Sequence, residues 1–250
     1  MHHRPLRVFW RLWFACLKSY KLVEPVFPEF TEFFMDYIIS IIPQMLMGTV
    51  DTLRLFFITI VLAIPLGILL AFCRISPFKL LRDAVAAYVY VLRGTPLMLQ
   101  LLFVYFGLPF IPVIGVRMDD FPAAVLAFVL NYGAYFCEIF RAGLQAIPKG
   151  QFEAAKTLGM NYTQTMRRII LPQVFKIILP PVSNETITLV KDTSLIYVLA
   201  MNDLLRTTRN LVQRDFNIMP FVVAAVFYLV MTLILTYGFN KLEKHFARWD

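Results

Sequence analysis

Residues Leu55–Cys73 read LFFITIVLAIPLGILLAFC, which is the most apolar stretch from which to predict the class of this protein. It contains no charged residue, and Thr59 is its only hydrophilic side chain. A helix needs about 20 mostly apolar residues to cross the hydrocarbon core of a bilayer. The stretch therefore predicts a transmembrane helix, and the class of the whole chain follows from how often such runs recur.

Four further runs predict additional spans, so we expect an all-α membrane protein with about five transmembrane helices. The helix of the second run could begin before Arg93. The fourth run is less apolar, and its polar side must face protein or water because a charge at mid-bilayer costs about 3 kcal/mol. These four runs are Leu97–Val116, Phe121–Phe140, Ile177–Met201 and Ile218–Phe239.

The composition of the 250 residues excludes several classes of protein. Hydrophobic residues make up 59% of the chain, against roughly 45–50% in soluble domains, which excludes an ordinary soluble domain and intrinsic disorder. Three cysteines are an odd number and do not indicate a disulfide scaffold. The net charge of +8 predicts basic loops on the cytoplasmic side of a membrane rather than nucleic-acid binding. The histidines assemble no metal site.

The two ends of the chain differ from its middle. Within the N-terminal segment, residues 1–45, we expect Val8–Leu22 to form an interfacial helix. Phe33–Val50 is expected to extend the first spanning helix outward. Residues 46–243 form the transmembrane domain, and residues 244–250 a cytoplasmic tail.

Lysine and arginine are concentrated in alternate loops, which predicts the orientation. The richer loops lie at 74–82, 141–176 and 241–248, so five spans place the C-terminus in the cytoplasm and the N-terminus outside. The basic residues between Arg4 and Lys21 argue against the second placement. A sixth, N-terminal span or a re-entrant segment is the alternative that would reconcile them.

The loop between the third and fourth runs, Arg141–Phe175, is too long for a simple connector. Its residues 151–160 predict a short amphipathic helix that starts after Pro148 and ends at Gly159. Phe152, Ala155, Leu158 and Gly159 share one face by their spacing. Such a helix could dock a soluble partner in a groove; the alternative is a helix that lies on the lipid headgroups.

The same loop resembles a family signature. Glu153-Ala154-Ala155, three residues, Gly159, nine residues and Ile169-x-Leu171-Pro172 match the coupling signature of binding-protein-dependent ABC transporter permeases. Three further motifs resemble the polar amino acid branch of that family (histidine, glutamate, glutamine or arginine type). They are Arg93–Pro96 with Gln100, Gly133–Tyr135 followed by Glu138–Arg141, and Lys191–Leu195. The resemblance covers about Gly48–Glu243.

The resemblance implies a permease of the type I ABC importer class in the bacterial inner membrane. It implies a second permease chain, identical or related, two ATPase subunits, and a substrate-binding protein outside. The coupling residues implied are Glu153, Ala154, Ala155, Gly159, Ile169, Leu171 and Pro172. The chain contains no phosphate loop of its own, so we expect no enzyme activity and no cofactor here, and ATP and Mg²⁺ in the partner ATPase.

A polar amino acid on its path needs an acceptor for its ammonium and donors for its carboxylate. Intramembrane ionisable residues are functional candidates, which makes Glu138 the best acceptor; the alternative is an ion pair with Arg141. The candidate donors and neutral contacts are Thr95, Ser194, backbone near Gly94, Gln100, Asn131 and Tyr135. Kinks near Pro96 and Pro180 would place irregular backbone where it can line a cavity, and Arg93–Pro96 is expected to be a functional break.

Two other function classes compete with an importer subunit. An ion-coupled secondary transporter of polar solutes usually shows inverted repeats, and the sequence contains none that we detect. A membrane enzyme would need a nucleophile, a base or metal ligands clustered at the interface, and the sequence offers no such cluster.

Overall fold

The computed structural model describes residues 27–111 and 115–247, with side chains for 34–111 and 115–246. Every regular element in these ranges is helical. The helices are α1 Phe27–Arg74, α2 Lys79–Gly94, α3 Leu97–Leu102, α4 Asp120–Gln145, α5 Lys149–Thr157, α6 Tyr162–Thr165, α7 Leu171–Asp192, α8 Leu204–Asp215 and α9 Met219–Ala247. The predicted interfacial helix Val8–Leu22 lies outside the described residues.

The chain divides into residues 1–44 and residues 45–250. The described part of the first unit is helical throughout, and all contacts given below lie within the second unit. Three described helices are long and apolar enough to cross a membrane, and they occupy Phe34–Arg74, Asp120–Gln145 and Met219–Phe246. The predicted all-helical membrane fold is therefore confirmed.

The second predicted span is wrong in its shape. The helical stretch that begins at Leu97 ends at Phe110, and it meets α2 at an angle of 106°. If α2 and Leu97–Phe110 together form one broken span, the described residues contain four spans rather than three. Pro96 at the bend has no N–H to continue the helix, which is the physical reason for the difference.

The fourth predicted span, Ile177–Met201, is shifted toward the N-terminus. Its helix, α7, begins at Leu171, ends at Asp192 and is followed by the 3-10 helix Thr193–Leu199. Pro180 and Pro181 lie inside α7, so the irregular backbone predicted near Pro180 is not present there. The irregular backbone comes later, after Asp192.

Helix α4 is the centre of the core, and small residues let its neighbours approach it. A Cβ added to Gly67 of α1 would lie 2.5 Å from Cβ of Phe136 and 3.1 Å from the backbone nitrogen of Cys137. A Cβ on Gly143 would overlap Ile178 of α7. Close backbone approach at small residues is typical of helix association in membranes, where lipid offers no hydrophobic drive between helices.

The start of α8 is fixed against α1. The carboxylate of Asp203 accepts hydrogen bonds from the backbone N–H groups of Leu205 and Arg206, both at 3.0 Å. The N–H of Leu204 donates to the Thr52 hydroxyl at 3.3 Å. Asp203 is fully buried, and this burial raises the pKa of its carboxyl to about 6.

Gly67→Ala should destabilise the fold, because its Cβ would press on backbone and on Phe136. Overpacking of this kind costs about 1–3 kcal/mol. Gly238→Ala in α9 is the matched control, since a Cβ there meets nothing within 4 Å. Thermal unfolding of both variants in one detergent measures the effect; equal melting temperatures would contradict the packing described.

Asp203→Asn should change how stability depends on pH. The raised pKa means that the fold favours the protonated carboxyl. The protonated Asp203 side chain therefore contributes to the free energy of unfolding. This contribution is complete below the ordinary pKa of about 4 and is lost as the pH rises through about 6. Asparagine can accept only one of the two capping bonds, but it cannot ionise. The stability of the variant should therefore stay level between pH 4 and 7, while that of the native protein falls by on the order of 2 kcal/mol.

Melting temperatures across that pH range test the Asp203 prediction. The control is Asp119→Asn, at the N-cap of α4, because the Asp119 side chain is exposed and makes no capping bond. Parallel pH curves for the native protein and Asp203→Asn would be the contrary result.

Candidate functional site

A rigid turn closes the short helix α5. Pro148 precedes the helix, and Gly159 follows it with φ +72°. The N–H of Gly159 donates to the carbonyl of Lys156 at 3.0 Å, and the N–H of Met160 to that of Ala155 at 3.1 Å. This pair of bonds is the Schellman motif, so the helix predicted at 151–160 and its glycine stop are present, with bounds of Lys149–Thr157.

The segment between α5 and α7 is also closely specified. A capping box between Asn161 and Gln164 opens α6. A single π-helical turn follows, in which the N–H of Leu171 donates to the carbonyl of Met166. Pro172 comes next, within the first turn of α7, where its missing N–H is tolerated. The Ile-x-Leu-Pro part of the signature thus forms the joint between this segment and α7.

The surface of α5 differs from the predicted apolar face. Only Ala155 is fully buried, whereas Leu158 is 77% exposed and Phe152 is 37% exposed. Tyr162, at the start of α6, is 74% exposed. The helix touches the rest of the chain along a narrow strip, so its apolar side chains remain open. Of the other signature residues, Glu153, Ala154, Gly159, Leu171 and Pro172 are exposed and Ile169 is half-buried.

A second candidate site is a cavity of about 430 Å³ between α1, α2 and α4. The guanidinium of Arg93 lies 5.0 Å from the centre of the Tyr135 ring, a cation–π arrangement. Three predicted path residues, Gly94, Tyr135 and Glu138, meet here. The lining residues are Arg74, Ala86, Val89, Tyr90, Arg93, Gly94, Tyr135 and Glu138.

Both basic residues that line this cavity, Arg74 and Arg93, were absent from the predicted path residues. Arg93 was quoted only as part of a motif, and Arg74 only as a loop charge. A signal for Arg93 was available, because a basic residue beside a helix-breaking Gly94-Thr95-Pro96 stretch is placed at irregular backbone. No local pattern connects Arg74 with Glu138, which are 64 positions apart.

Glu138 is held by cations of the protein. The Arg141 Nε donates to both carboxylate oxygens at 3.0 and 3.1 Å, and its second guanidinium nitrogen contacts Oε2 at 2.5 Å. The Nε of Arg74 lies 3.8 Å from Oε1. This is the ion pair that stood as the alternative for Glu138. The charge of the cavity is therefore net positive.

The remaining predicted path residues lie elsewhere. Thr95, Gln100 and Asn131 bond to one another and to the backbone at the bend between α2 and α3. Ser194 is in the 3-10 helix after α7 and does not line the cavity. Asp192 accepts a hydrogen bond from the Tyr132 hydroxyl at 2.8 Å. In the described part of the chain, no group of three or more His, Cys, Asp or Glu residues is placed to hold a metal ion.

Known proteins resemble this chain over most of its length. The family described as "Binding-protein-dependent transport system inner membrane component" matches residues 63–248. The arginine transport system permease protein ArtQ of Bacillus subtilis (strain 168) is 42% identical over 204 residues, which cover 81% of this chain and 92% of that protein.

Two further matches agree with these. The putative glutamine transport system permease protein GlnP of Rickettsia bellii (strain RML369-C) is 35% identical over 213 residues, covering 84% of this chain and 97% of that protein. A crystal structure of an amino acid ABC transporter with histidines superposes with a TM-score of 0.76 at 34% identity, covering 84% of this chain and 97% of that one.

Glu138→Gln should lower the free energy of unfolding. The change leaves Arg141 without its charged partner, and hydrogen bonds to a charged group contribute about 1.5–3 kcal/mol. The control is Asp83→Asn, whose carboxylate is 54% exposed and 3.6 Å from Arg82; such surface pairs are worth about 0–1 kcal/mol. Thermal unfolding in detergent compares the melting temperatures of the two variants. An equal loss of melting temperature in both would show that the ion pair between Glu138 and Arg141 does not stabilise the fold.

Proposed function

This chain belongs to the family of binding-protein-dependent transport system inner membrane components, and from that premise we propose that it carries a polar amino acid into the cell. Family membership confirms the predicted resemblance and makes the chain a permease subunit of an ABC transporter. It also favours this function over an ion-coupled secondary transporter. Relatives named for arginine and glutamine transport support an amino acid as the cargo.

One observation carries the proposal: residues 149–172, which we call the coupling segment, are largely exposed and are held in one conformation by hydrogen bonds. Its helix α5 ends in a hydrogen-bonded turn at Gly159, and Phe152, Leu158 and Tyr162 are left open on its surface. A short rigid helix with open apolar side chains is suited to a groove on a partner protein. We propose that this partner is the ATPase subunit, and that the signature residues from Glu153 to Pro172 transmit its movement to α7.

The assembly and its orientation belong to the same proposal. We place the α5 end of the bundle and the C-terminal tail in the cytoplasm, because the loops on that side carry most of the lysine and arginine. The complete importer would contain a second permease chain, identical or related, two ATPase subunits that hold ATP and Mg²⁺, and a substrate-binding protein on the opposite side.

The cavity supports a substrate with a carboxylate. Arg74 and Arg93 face it, and the charge of Glu138 is already compensated by Arg141. A guanidinium binds a carboxylate through paired hydrogen bonds, and Tyr135 together with the backbone at Gly94 would complete the contacts. Glu138 is the acidic residue among those that line the cavity, so it would accept the ammonium group of the amino acid.

Co-expression with the candidate ATPase and purification through a tag on this chain test the function. We expect a stable complex whose ATP hydrolysis drives uptake of labelled amino acids into proteoliposomes that contain the binding protein. Uptake of sugars at the same rate would exclude the proposed cargo. Uptake without any ATPase would exclude the importer mechanism.

Gly159→Ala should weaken ATPase docking, whereas Gly150→Ala should not. A Cβ meets nothing within 4 Å at either position, but Gly159 has φ +72°, where an L-residue costs about 1–2 kcal/mol. Gly150 has helical backbone, so alanine is tolerated there. A detergent pull-down of the ATPase measures both, and undiminished binding by Gly159→Ala would contradict the role of the turn.

A further inference from the structure

The bend between α2 and α3 leaves backbone carbonyls without helical partners. In a continuous helix the carbonyl of Leu92 would accept the N–H of residue 96, which is Pro96 and has none. The carbonyl of Val91 would accept from Thr95, whose backbone is extended with φ −119° and ψ 149°. An unpaired carbonyl in hydrocarbon costs several kcal/mol, so the bend needs substitutes for both bonds.

Three side chains supply the missing donors. The Thr95 hydroxyl donates to the carbonyl of Val91 at 2.8 Å. The carbonyl of Leu92 accepts from the amide nitrogens of Gln100 at 2.8 Å and of Asn131 at 3.0 Å. The Gln100 amide also donates to the Thr95 hydroxyl oxygen at 2.8 Å, and Asn131 donates to the Gln100 Oε1 at 2.9 Å. The network therefore joins both sides of the bend to α4.

These bonds leave no donor for a substrate. The single hydroxyl hydrogen of Thr95 is directed at Val91, and each amide nitrogen of Gln100 and Asn131 has at least two protein acceptors for its two hydrogens. None of the three side chains lines the cavity that holds Arg93 and Glu138. The three side chains donate their hydrogen bonds to backbone carbonyls at the bend and to one another.

We propose that Gln100 and Asn131 are positioning residues, which fix the bend and thereby hold Arg93 and Gly94 at the edge of the cavity. Both amides bind the backbone carbonyl of Leu92. Leu92 directly precedes Arg93 in the chain. Loss of either amide removes one of the two hydrogen bonds to this carbonyl, and the backbone at Arg93 is then held less firmly. The link to substrate binding rests on the proposed function; the link to the bend does not.

The neighbouring Tyr88 provides a matched control. Its hydroxyl donates to the carbonyl of Leu130 at 2.6 Å, so it also joins α2 to α4, one residue from Asn131. Tyr88→Phe removes a bond between the same two helices without touching the bend. If Gln100→Leu or Asn131→Leu changes a measured property that Tyr88→Phe leaves unchanged, the change is caused by the lost bonds at the bend and not by a weaker contact between α2 and α4.

The first measurement is the distance between spin labels on the two arms of the bend. Labels at positions 80 and 110, both highly exposed, are attached in a background without native cysteines. We expect one narrow distance in the native protein and in Tyr88→Phe, and a broadened distribution in Gln100→Leu and Asn131→Leu. Unchanged distances in both leucine variants would overturn the proposal, whatever the cargo is.

The second measurement is binding of labelled arginine, histidine and glutamine to the purified permease–ATPase complex. Each leucine variant should bind all three at least about tenfold more weakly, while the order of preference stays the same and Tyr88→Phe stays within about twofold of the native complex. A changed order would make Gln100 or Asn131 a direct contact and overturn the positioning role. Failure of the native complex to bind any of the three would count against the proposed cargo alone.

A double variant covers the case in which Gln100→Leu does not fold. Pro96→Ala restores an N–H that the carbonyl of Leu92 can accept. Pro96→Ala with Gln100→Leu should therefore fold, with the two arms straightened and the label distance lengthened. A double variant that keeps the native bend would show that the network does not set it.

Discussion

The bilayer core contains no water to bond with backbone N–H and C=O groups, and this constraint governs the structure. A membrane protein can bend a helix only where other groups satisfy the freed backbone. Here the single sharp break in the described spans, at Gly94-Thr95-Pro96, coincides with a network of Thr95, Gln100 and Asn131 around the freed carbonyls. The position of the cavity follows, because Arg93 and Gly94 lie on the edge of that break.

Close packing around α4 complements this polar network. Lipid is as apolar as leucine, so membrane helices associate through close contact rather than through a hydrophobic drive. Gly67 and Gly143 provide that contact on two sides of α4, with α1 and α7 respectively. The result is a framework in which α4 carries Tyr135 and Glu138 in fixed positions beside α2, while its end leads directly into the coupling segment.

The coupling segment and the cavity are connected through few elements. Glu138 and Arg141 occupy the last part of α4, which is followed by α5 after a short turn, and α7 follows α5 through the joint at Leu171-Pro172. A displacement of α5 would therefore reach α4 through a short turn and α7 through the hydrogen-bonded segment 158–170. This arrangement gives a physical route by which an event at the surface of α5 could alter the cavity.

Local sequence was enough to predict the membrane class, three of the spans and the short helix α5 with its glycine stop. These depend on local hydropathy, on proline and on φ > 0 at Gly159, all of which act over a few residues. Three features required the packed helices to be seen: Arg74 and Arg93 share a cavity with Glu138, and Gln100 and Asn131 bond to the carbonyl of Leu92. The third is that Leu158 is exposed while Ala155 is buried. The sequence pattern gave Gln100, Asn131 and Glu138 as polar residues in apolar runs without their partners, because a polar side chain in lipid must find a partner, and which partner it finds depends on helices that lie far apart in the chain.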